Sequence, residues 1–389
     1  MKDMVQYDID YYVEKEGIVM AILIVDDEPV NTLVLEQLLH QHDYETVSVS
    51  SGEEALDLLM APQAASLYDL VLLDVEMPGI SGIETCKRIR QMADFEELPV
   101  IMVSGRTEEK QIAEGLDAEA SDYTTKPIKI TELLARIRSA LRYKAAVDER
   151  KIYEARLQYD LDLAQKIQQS ALTPPISNEE IDVRALYLPS KKLAGDMYAW
   201  FQVAPDRYGV IIFDVMGHGV SSALITMGIR SILPGLVGNV QYPVDVMMEL
   251  NRQMTFLFLG DDMHSYFTAV YCYIDTTKRR IEYVNAGHPP VIVTSEEGNC
   301  RLETTGVPVG MFEEPNYESK EIDITPNMTL HMYTDGLMEC YSKDIDDGIR
   351  WLEKDVSTYG LDYSRHVAEQ LVPKIEIEDD LCLVTVKIT

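Results

Sequence analysis

Residues 70–78 read Leu-Val-Leu-Leu-Asp-Val-Glu-Met-Pro, an apolar run that ends on a carboxylate and then turns. Comparable apolar runs occur at residues 21–25, 46–49 and 100–103, and amphipathic helical stretches separate them. Continuous apolar strands that alternate with helices are typical of a parallel sheet covered on both faces. The order of these elements therefore predicts a doubly wound α/β domain.

Polar side chains follow the strands where each strand ends. In chain order they are Asp26, Asp27, Asp74, Ser104 and Lys126. This edge of an open α/β sheet is where ligands bind. Three carboxylates that repel one another need a divalent cation, and a ligand set made only of oxygen atoms favours Mg²⁺. A carboxylate supported by a metal can attack a phosphoryl group, so Asp74 is the predicted phosphate acceptor.

Each of these residues also has a simpler explanation when it is taken alone. An aspartate at a strand end is commonly a turn or cap residue. Ser104 could be a helix N-cap, and Tyr123, on the fifth strand, could simply pack in the core. Five such elements in order at the expected strand ends favour a phosphate site over these separate explanations.

The set resembles two-component response-regulator receivers across residues 20–143. The resemblance implies that a histidine kinase is the partner and that Asp74 accepts its phosphate. The implied Mg²⁺ ligands are Asp26, Asp27, Asp74 and the carbonyl oxygen of Glu76. Ser104 and Lys126 would contact the phosphate, Tyr123 would be the switch aromatic residue, and Lys126–Pro127 would be a cis peptide.

A long helix is predicted to leave this domain. Apolar or small residues recur at spacings of three, four and seven, which makes one stripe along a helix. They are Leu134, Ile137, Leu141, Ala145, Ile152, Ala155, Tyr159, Leu163 and Ile167. Nothing interrupts the pattern before Pro174-Pro175. A narrow apolar stripe of this kind commonly pairs with a second copy of itself, so we expect a coiled-coil homodimer; a solvated spacer helix is the alternative.

The second half of the chain is rich in β-strand patterns, with two helical stretches near residues 221–236 and 243–257. This arrangement predicts an α+β sandwich. Four acidic motifs stand at strand ends, and they contain Asp196, Asp214, Asp335 and the pair Asp379-Asp380. Carboxylates from distant segments, without His or Cys, favour Mg²⁺ or Mn²⁺. Two such ions would activate a water and hold a phosphate, which predicts hydrolysis without a protein nucleophile.

These motifs resemble the metal-dependent PP2C-type serine/threonine phosphatases of the SpoIIE/RsbU group over residues 160–389. The resemblance implies two Mn²⁺ or Mg²⁺ ions, with Asp214 bridging both and Val215 offering its carbonyl oxygen. Asp335 and Asp379 would complete one metal site, and Asp196 would bind a metal directly or through a ligand. Asp196 and Asp214 are thus the predicted catalytic residues.

Other assignments stay open in the sequence. Asp380 competes with Asp379 as a ligand, and the register of the motif favours Asp379. His218 and His288 are candidate proton donors, but a histidine in a turn flanked by glycine or proline more often holds the loop. Two positions depart from the pattern of the group: Ala199 stands where a second aspartate is usual, and Cys382 stands where a hydroxyl residue is usual.

Together the two halves predict a response regulator with a phosphatase output. Phosphorylation of Asp74 would act through the helix from about residue 128 to 172. By resemblance, the substrate is a phosphoserine or phosphothreonine on an anti-sigma-factor antagonist of the STAS class. The alternative is a catalytically weak or inactive adaptor that binds a partner according to the state of Asp74, an alternative that Ala199 favours and the remaining aspartates oppose.

Composition excludes other classes. A net charge of −32 argues against nucleic-acid binding and against an anionic membrane surface. Five scattered cysteines without a C-x-x-C pair indicate a reducing cytoplasm, and neither a signal peptide nor a membrane span is predicted. The expected boundaries are 1–19 for a flexible extension, 20–143 for the receiver, 144–175 for the helical linker and 176–389 for the phosphatase. Met20 directly precedes the first strand, so the start at Met1 or Met20 stays open.

Overall fold

The computed structural model describes residues 20–62, 64–105, 109–217, 219–257, 265–374 and 377–389. The predicted extension at residues 1–19 lies outside the described residues. The chain divides between Tyr159 and Asp160 into two compact units. Each unit is described by itself.

The first unit is a five-stranded parallel sheet with helices on both faces, in the order β2-β1-β3-β4-β5. Its strands are β1 (Ala21–Val25), β2 (Glu45–Val49), β3 (Leu70–Asp74), β4 (Val100–Ser104) and β5 (Asp122–Thr125). Its helices are α1 (Pro29–His40), α2 (Gly52–Leu59), α3 (Ala64–Leu67), α4 (Gly82–Arg90), a 3₁₀ turn (Ala93–Phe95), α5 (Glu109–Asp117) and the start of α6 (Ile130–Ser170). The predicted doubly wound α/β domain is confirmed.

Burial explains why this sheet carries unbroken apolar runs. Every residue of β3 and β4 is buried, because helices cover both faces. Leu39 of α1 and Ile137 of α6 pack on one face, and Cys86 and Ile89 of α4 pack on the other. Serine caps begin two of the helices: Ser51 and Ser81 each accept the backbone N–H three residues later. The strand ends are therefore fixed by a packed core.

The long helix α6 changes its surroundings along its length. Leu134, Ile137 and Leu141 of the predicted stripe are buried in the first unit. Further along, Tyr159, Leu163 and Ile167 are 47%, 48% and 53% exposed. The helix ends at Ser170, a few residues before Pro174-Pro175. The stripe thus begins as core and continues as an uncovered apolar face.

The second unit is a sandwich of two antiparallel sheets. The first sheet has the order β14-β11-β10-β9-β8 and the second β13-β12-β15-β16-β7-β6. The strands are β6 (Ile176–Ser177), β7 (Ile181–Leu188), β8 (Asp196–Ala204), β9 (Arg207–Val215), β10 (Phe267–Asp275), β11 (Arg280–Ala286), β12 (Val291–Thr294), β13 (Cys300–Leu302), β14 (Lys320–Asp323), β15 (Thr329–Tyr333) and β16 (Leu381–Ile388). The predicted β-sandwich is confirmed.

Helices cover the outer face of each sheet. They are α7 (Val220–Asn239), α8 (Pro243–Leu257), α9 (Asp335–Glu339), α10 (Ile345–Tyr359), α11 (Tyr363–His366), a 3₁₀ turn before α11 (Gly360–Asp362), and a π turn (Val367–Leu371) and a 3₁₀ turn (Val372–Lys374) after it. Residues from both sheets, such as Ile212 and Val384, form the central core. Leu233 of α7 packs on the first sheet, and Leu352 of α10 packs on the second. The helices that follow Asp344 were not predicted from the sequence.

One described helix, α7, is long and apolar enough to cross a membrane when length and composition alone are considered. No membrane span was predicted from the sequence, so a helix of this length and apolarity was not anticipated. In this structure Ile229, Leu233 and Val237 of α7 are buried against the first sheet of the sandwich. That packing is typical of a core helix in a globular domain.

Candidate functional site

Three carboxylates meet at the carboxyl edge of the parallel sheet. Strands β1 and β3 are neighbours with Val25 opposite Leu73, so the residues that follow them lie side by side. Asp26 and Asp74 are buried and Asp27 is half-buried. Carboxylate oxygens of the three residues all lie within 4.8 Å of one another. This spacing fits one small divalent cation with oxygen ligands.

Lys126 supplies positive charge to this cluster. Its Nζ donates to Asp26 Oδ2 at 2.9 Å and to Asp74 Oδ2 at 2.8 Å. Burial raises the pKa of Asp74, and Lys126 opposes that shift. Burial disfavours the Lys126 charge, but its bonds to Asp74 and Asp26 outweigh this effect and raise its pKa. The peptide between Lys126 and Pro127 is cis, as the sequence predicted.

The other predicted residues of this site lie at the same sheet edge. Ser104 is the buried last residue of β4, and Tyr123 is buried on the neighbouring strand β5. The backbone N–H of Glu76 lies 3.5 Å from Asp74 Oδ1. A Cβ on Gly82 would lie 2.1 Å from the carbonyl oxygen of Asp74, so α4 approaches the backbone of Asp74 more closely than any other residue type would allow.

A second group of carboxylates converges in the second unit. Asp196 begins β8 and stands directly opposite Asp214 near the end of β9. Asp335 begins α9 directly after β15, and the pair Asp379-Asp380 precedes β16, the neighbour of β15. The structure therefore brings four segments that are distant in sequence to one place.

Electrostatics show how closely these carboxyl groups interact. Asp196 is buried, and its Oδ2 atom has no hydrogen-bond partner in the described structure. Burial raises the pKa of Asp196, and the charge of Asp214 raises it further. Burial is the main cause that raises the pKa of Asp214, and the charge of Asp335 raises it further. Burial also raises the pKa of Asp335, and the charge of Asp379 adds to that rise. A buried carboxylate oxygen without a partner, among like charges, is the arrangement that a cation would satisfy.

The pair Asp379-Asp380 divides into two different environments. Asp380 is buried: its Oδ1 accepts the N–H of Ser190 at 2.8 Å and its hydroxyl at 2.9 Å, and its Oδ2 accepts the N–H of Gly195 at 2.8 Å. Asp379 is exposed and accepts the N–H of Asp380 through Oδ1 at 2.7 Å. Asp380 thus supports the loop before Asp196, which leaves Asp379 as the better candidate ligand.

Family models match both halves of the chain. Residues 22–138 match the response regulator receiver domain, and residues 204–389 match the family described as Stage II sporulation protein E. The chain joins a response-regulator receiver domain to a SpoIIE-type PP2C domain. The match to the SpoIIE family begins at residue 204, after Asp196. The pairing of Asp196 with Asp214 on neighbouring strands connects Asp196 with the matched residues.

Relatives cover each half separately. The chain is 42% identical over 192 residues to the phosphoserine phosphatase RsbP of Bacillus subtilis (48% of this chain, 48% of that protein). It is 39% identical over 121 residues to the phosphate regulon regulator PhoB of Rhizobium meliloti (31% of this chain, 52% of that protein). The chain therefore spans about half the length of these curated relatives.

A solved structure supports the fold of the second half. The SiaA-PP2C domain of Pseudomonas aeruginosa aligns with a TM-score of 0.51 and 18% identity, and the match covers 61% of this chain and 99% of that domain. At this identity the likeness shows the fold alone.

Both departures from the sequence pattern of the PP2C group are core positions here. Ala199 is fully buried beside Ile211 and Phe213, on the face of β8 that packs against the helices. Cys382 is fully buried between the two sheets. Its N–H donates to Thr334 Oγ1 at 3.0 Å, which ties β16 to the segment that carries Asp335. Apolar packing at these positions accounts for both residues.

Of the two candidate proton donors His218 and His288, the structure describes only His288. His218 lies outside the described residues. His288 is buried, its ring Nδ1 lies 2.7 Å from Thr268 Oγ1, and its backbone N–H donates to Asn285 Oδ1 at 2.8 Å. Burial lowers the pKa of His288 to about 3, so it is neutral near pH 7. This environment supports a role in holding the loop rather than in donating protons.

Two residues that the sequence did not single out hold the acidic segments in place. Thr226 of α7 donates through Oγ1 to the carbonyl of Gly195 at 2.7 Å, and Gln168 of α6 bonds to Ala194. From the sequence, neither side chain was expected to support the site, and only the folded chain brings them next to Asp196. A Cβ on Gly336 would lie 2.2 Å from the carbonyl oxygen of Asp380, so α9 and the Asp379-Asp380 segment are in backbone contact.

We predict that Gly336→Ala pushes these two acidic segments apart. The added methyl must displace backbone, which costs about 1–3 kcal/mol of domain stability. The variant should show a lower unfolding temperature by circular dichroism and weaker Mn²⁺ binding in a titration. Gly228→Ala is the matched control, because Gly228 is also helical and has open space around a Cβ. Equal Mn²⁺ affinity in the two variants would contradict the role given to Gly336.

Proposed function

We propose that this chain is a two-component response regulator with a protein serine/threonine phosphatase output. The observation that carries the enzymatic half is the buried, unpartnered Oδ2 of Asp196 opposite Asp214. This oxygen lies among the like charges of Asp214, Asp335 and Asp380, and a divalent cation would supply the partner that it lacks. The phosphoserine phosphatase RsbP, 42% identical over 192 residues, supports the same reaction class.

The chain offers ligand sets for two kinds of cation. In the PP2C domain, Asp196, Asp214, Asp335, Asp379 and the carbonyl of Val215 would hold two Mn²⁺ or Mg²⁺ ions. In the receiver, Asp26, Asp27, Asp74 and the carbonyl of Glu76 would hold Mg²⁺. Bound at these sites, the cations supply positive charge that activates water and stabilises phosphoryl oxygens.

The protein residues orient the reaction and set its specificity. In the receiver, Asp74 is the nucleophile, Lys126 and Ser104 bind the phosphoryl oxygens, and Tyr123 is the switch residue. In the PP2C domain, the paired strands β8 and β9 hold Asp196 and Asp214 in fixed register. No side chain forms a covalent bond with the substrate there, so hydrolysis depends on the placement of the carboxylates.

The partners follow from the two chemistries. A sensor histidine kinase phosphorylates Asp74, and the PP2C domain removes phosphate from a phosphoserine or phosphothreonine of an anti-sigma-factor antagonist of the STAS class. Five free cysteines support a reducing compartment, which we take to be the cytoplasm. The boundaries that we propose are a receiver over residues 20–143, a helical linker over 144–175 and a phosphatase over 176–389, preceded by an extension over 1–19.

Hydrolysis should depend on a divalent cation and on Asp214. Purified chain should hydrolyse a phosphoserine peptide in Mn²⁺, and chelation with EDTA should abolish the rate. Asp214→Ala should lower the rate by at least about 100-fold, because it removes a carboxylate that would hold the cations. Asp323→Asn, an exposed position on the edge strand β14, is the control and should retain the wild-type rate. Equal rates for wild type and Asp214→Ala would exclude the enzyme and leave the phosphate-responsive adaptor.

The chain should form a homodimer through α6. The exposed apolar residues Tyr159, Leu163 and Ile167 of α6 support pairing with the same helix of a second copy. Light scattering should give twice the chain mass of 44.1 kDa. Leu163→Glu should shift the equilibrium towards the monomer, whereas Gln158→Glu, which lies off the stripe, should not. A monomeric mass for the wild-type chain, with and without beryllofluoride, would refute the dimer.

The state of Asp74 should control the phosphatase rate. Beryllofluoride, a stable mimic of the phosphoryl group, should change the phosphatase rate of the wild-type chain several-fold. The same addition to Asp74→Ala should leave the rate unchanged, because the acceptor oxygen is missing. An unaltered wild-type rate, measured while beryllofluoride is shown to bind the receiver, would rule out the proposed coupling.

A further inference from the structure

A buried glutamine connects the end of the long helix to the loop that carries Asp196. Gln168 is 2% exposed, although it lies on a helix whose neighbouring residues Ile167 and Gln169 are exposed. Its Nε2 donates to the carbonyl of Ala194 at 2.8 Å, and its Oε1 accepts the N–H of Ala194 at 3.1 Å. Both polar ends of one side chain are therefore used on a single backbone residue, two positions before Asp196.

The next residue is held just as completely. The N–H of Gly195 donates to Asp380 Oδ2 at 2.8 Å, and its carbonyl accepts Thr226 Oγ1 at 2.7 Å. A Cβ on Gly195 would lie 2.9 Å from the carbonyl oxygen of Val215, so the loop is pressed against the strand that carries Asp214. Side chains thus hold all four backbone polar groups of Ala194 and Gly195, which fixes the position from which Asp196 starts.

Further contacts hold the end of α6 beside this loop. Lys192 forms an ion pair with Asp162, and Arg230 Nε donates to the carbonyl of Ala171 at 2.8 Å. Beyond the helix, Trp200 Nε1 donates to the carbonyl of Pro174 at 2.9 Å. These contacts anchor the helix end, and Gln168 is the member that reaches the buried backbone leading into Asp196.

We propose that Gln168 is a positioning residue that makes cation binding in the PP2C domain depend on the placement of α6. The inference rests on the proposed function, in which Asp196 is a cation ligand. Successive helical residues point about 100° apart, so a turn of α6 about its axis moves Gln168 away from Ala194. Two buried backbone groups would then lack partners, and the loop would have to shift. Asp196 would leave its place opposite Asp214, and cation affinity would fall.

The test compares Gln168→Leu with Gln169→Leu in the full chain. Both changes replace a helical glutamine by leucine, but Gln169 is exposed. Mn²⁺ is titrated into metal-free protein, and electron paramagnetic resonance measures the free Mn²⁺, which gives the dissociation constants. The receiver site is the same in both variants, so any difference reports the PP2C domain. We expect Gln168→Leu to raise the Mn²⁺ dissociation constant about 10-fold, as loss of a supporting partner of a metal ligand commonly does. Gln169→Leu should match the wild type.

Two further readouts separate positioning from loss of structure. Hydrogen exchange should show lost protection of the Ala194 amide in Gln168→Leu and unchanged protection in Gln169→Leu. With p-nitrophenyl phosphate, Gln168→Leu should need more Mn²⁺ for half-maximal rate and recover the wild-type rate at saturating Mn²⁺. A rate that is reduced equally at all Mn²⁺ concentrations, with unchanged Mn²⁺ affinity, would overturn the proposal.

A second variant keeps the proposal testable if Gln168→Leu does not fold. Gln168→Glu retains an acceptor for the Ala194 N–H and loses the donor to the Ala194 carbonyl. Mn²⁺ affinity equal to wild type in folded Gln168→Glu would refute the proposal, and weakened affinity would support it. If neither wild type nor any variant hydrolyses phosphate, the phosphatase fails as a function, whereas the Mn²⁺ titration and hydrogen exchange still decide the role of Gln168.

Discussion

Repulsion between buried carboxylates is the constraint on which both halves of this molecule depend. Like charges a few ångströms apart in a partly dry environment repel strongly, so each group must be held by the rest of the fold. In the receiver, Lys126 lies between Asp26 and Asp74 and offsets part of the repulsion. In the PP2C domain, burial is the main cause that raises the pKa values of Asp196, Asp214 and Asp335, and the charge of a neighbouring aspartate raises each of them further. Sites of this kind are stable only on a rigid scaffold.

The two domains provide that scaffold with different sheets and the same backbone device. The receiver places its carboxylates at the end of a fully buried parallel sheet, and the PP2C domain places two of them opposite each other on antiparallel strands. In both, a glycine lets a second segment touch the backbone of a clustered aspartate: Gly82 touches Asp74, and Gly336 touches Asp380. A side chain at either glycine would force the segments apart, so close backbone contact sets the distances between carboxylates.

Local patterns explain why much of this could be predicted from the sequence. Buried strands such as β3 read as unbroken apolar runs, and the acidic residues follow them directly, so both the α/β domain and the clustering of Asp26, Asp27 and Asp74 were predictable. Helix α10 was missed although Asp344 caps it and Ile349, Leu352 and Val356 recur at helical spacing. The cap and the helical spacing are both visible in the sequence, so this helix was predictable.

Other features depend on contacts that no local pattern encodes. Ala199 reads as a lost ligand in the sequence, but β8 turns it into the core between sheet and helices. Asp380 and Asp379 are adjacent in the chain, and only the position of Ser190 and Gly195 separates their environments. The pairing of Gln168 with Ala194 spans 26 positions and joins two residues of unremarkable type. Each of these environments depends on tertiary contacts, so residue spacing and composition could not predict it.

The long helix therefore carries two neighbouring faces with opposite chemistry. Gln168 is buried against the Asp196 loop, whereas Ile167 and Leu163 remain about half exposed. Because an α-helix transmits rotation as a rigid body over one or two turns, a partner that packs on Leu163 and Ile167 cannot rotate the helix without moving Gln168. The hydrogen bonds of Gln168 are short-range and directional, so they are made in one orientation and lost in the next. Within the proposed function, pairing of the apolar face would set the orientation of α6, and the hydrogen bonds of Gln168 would couple that orientation to the position of Asp196.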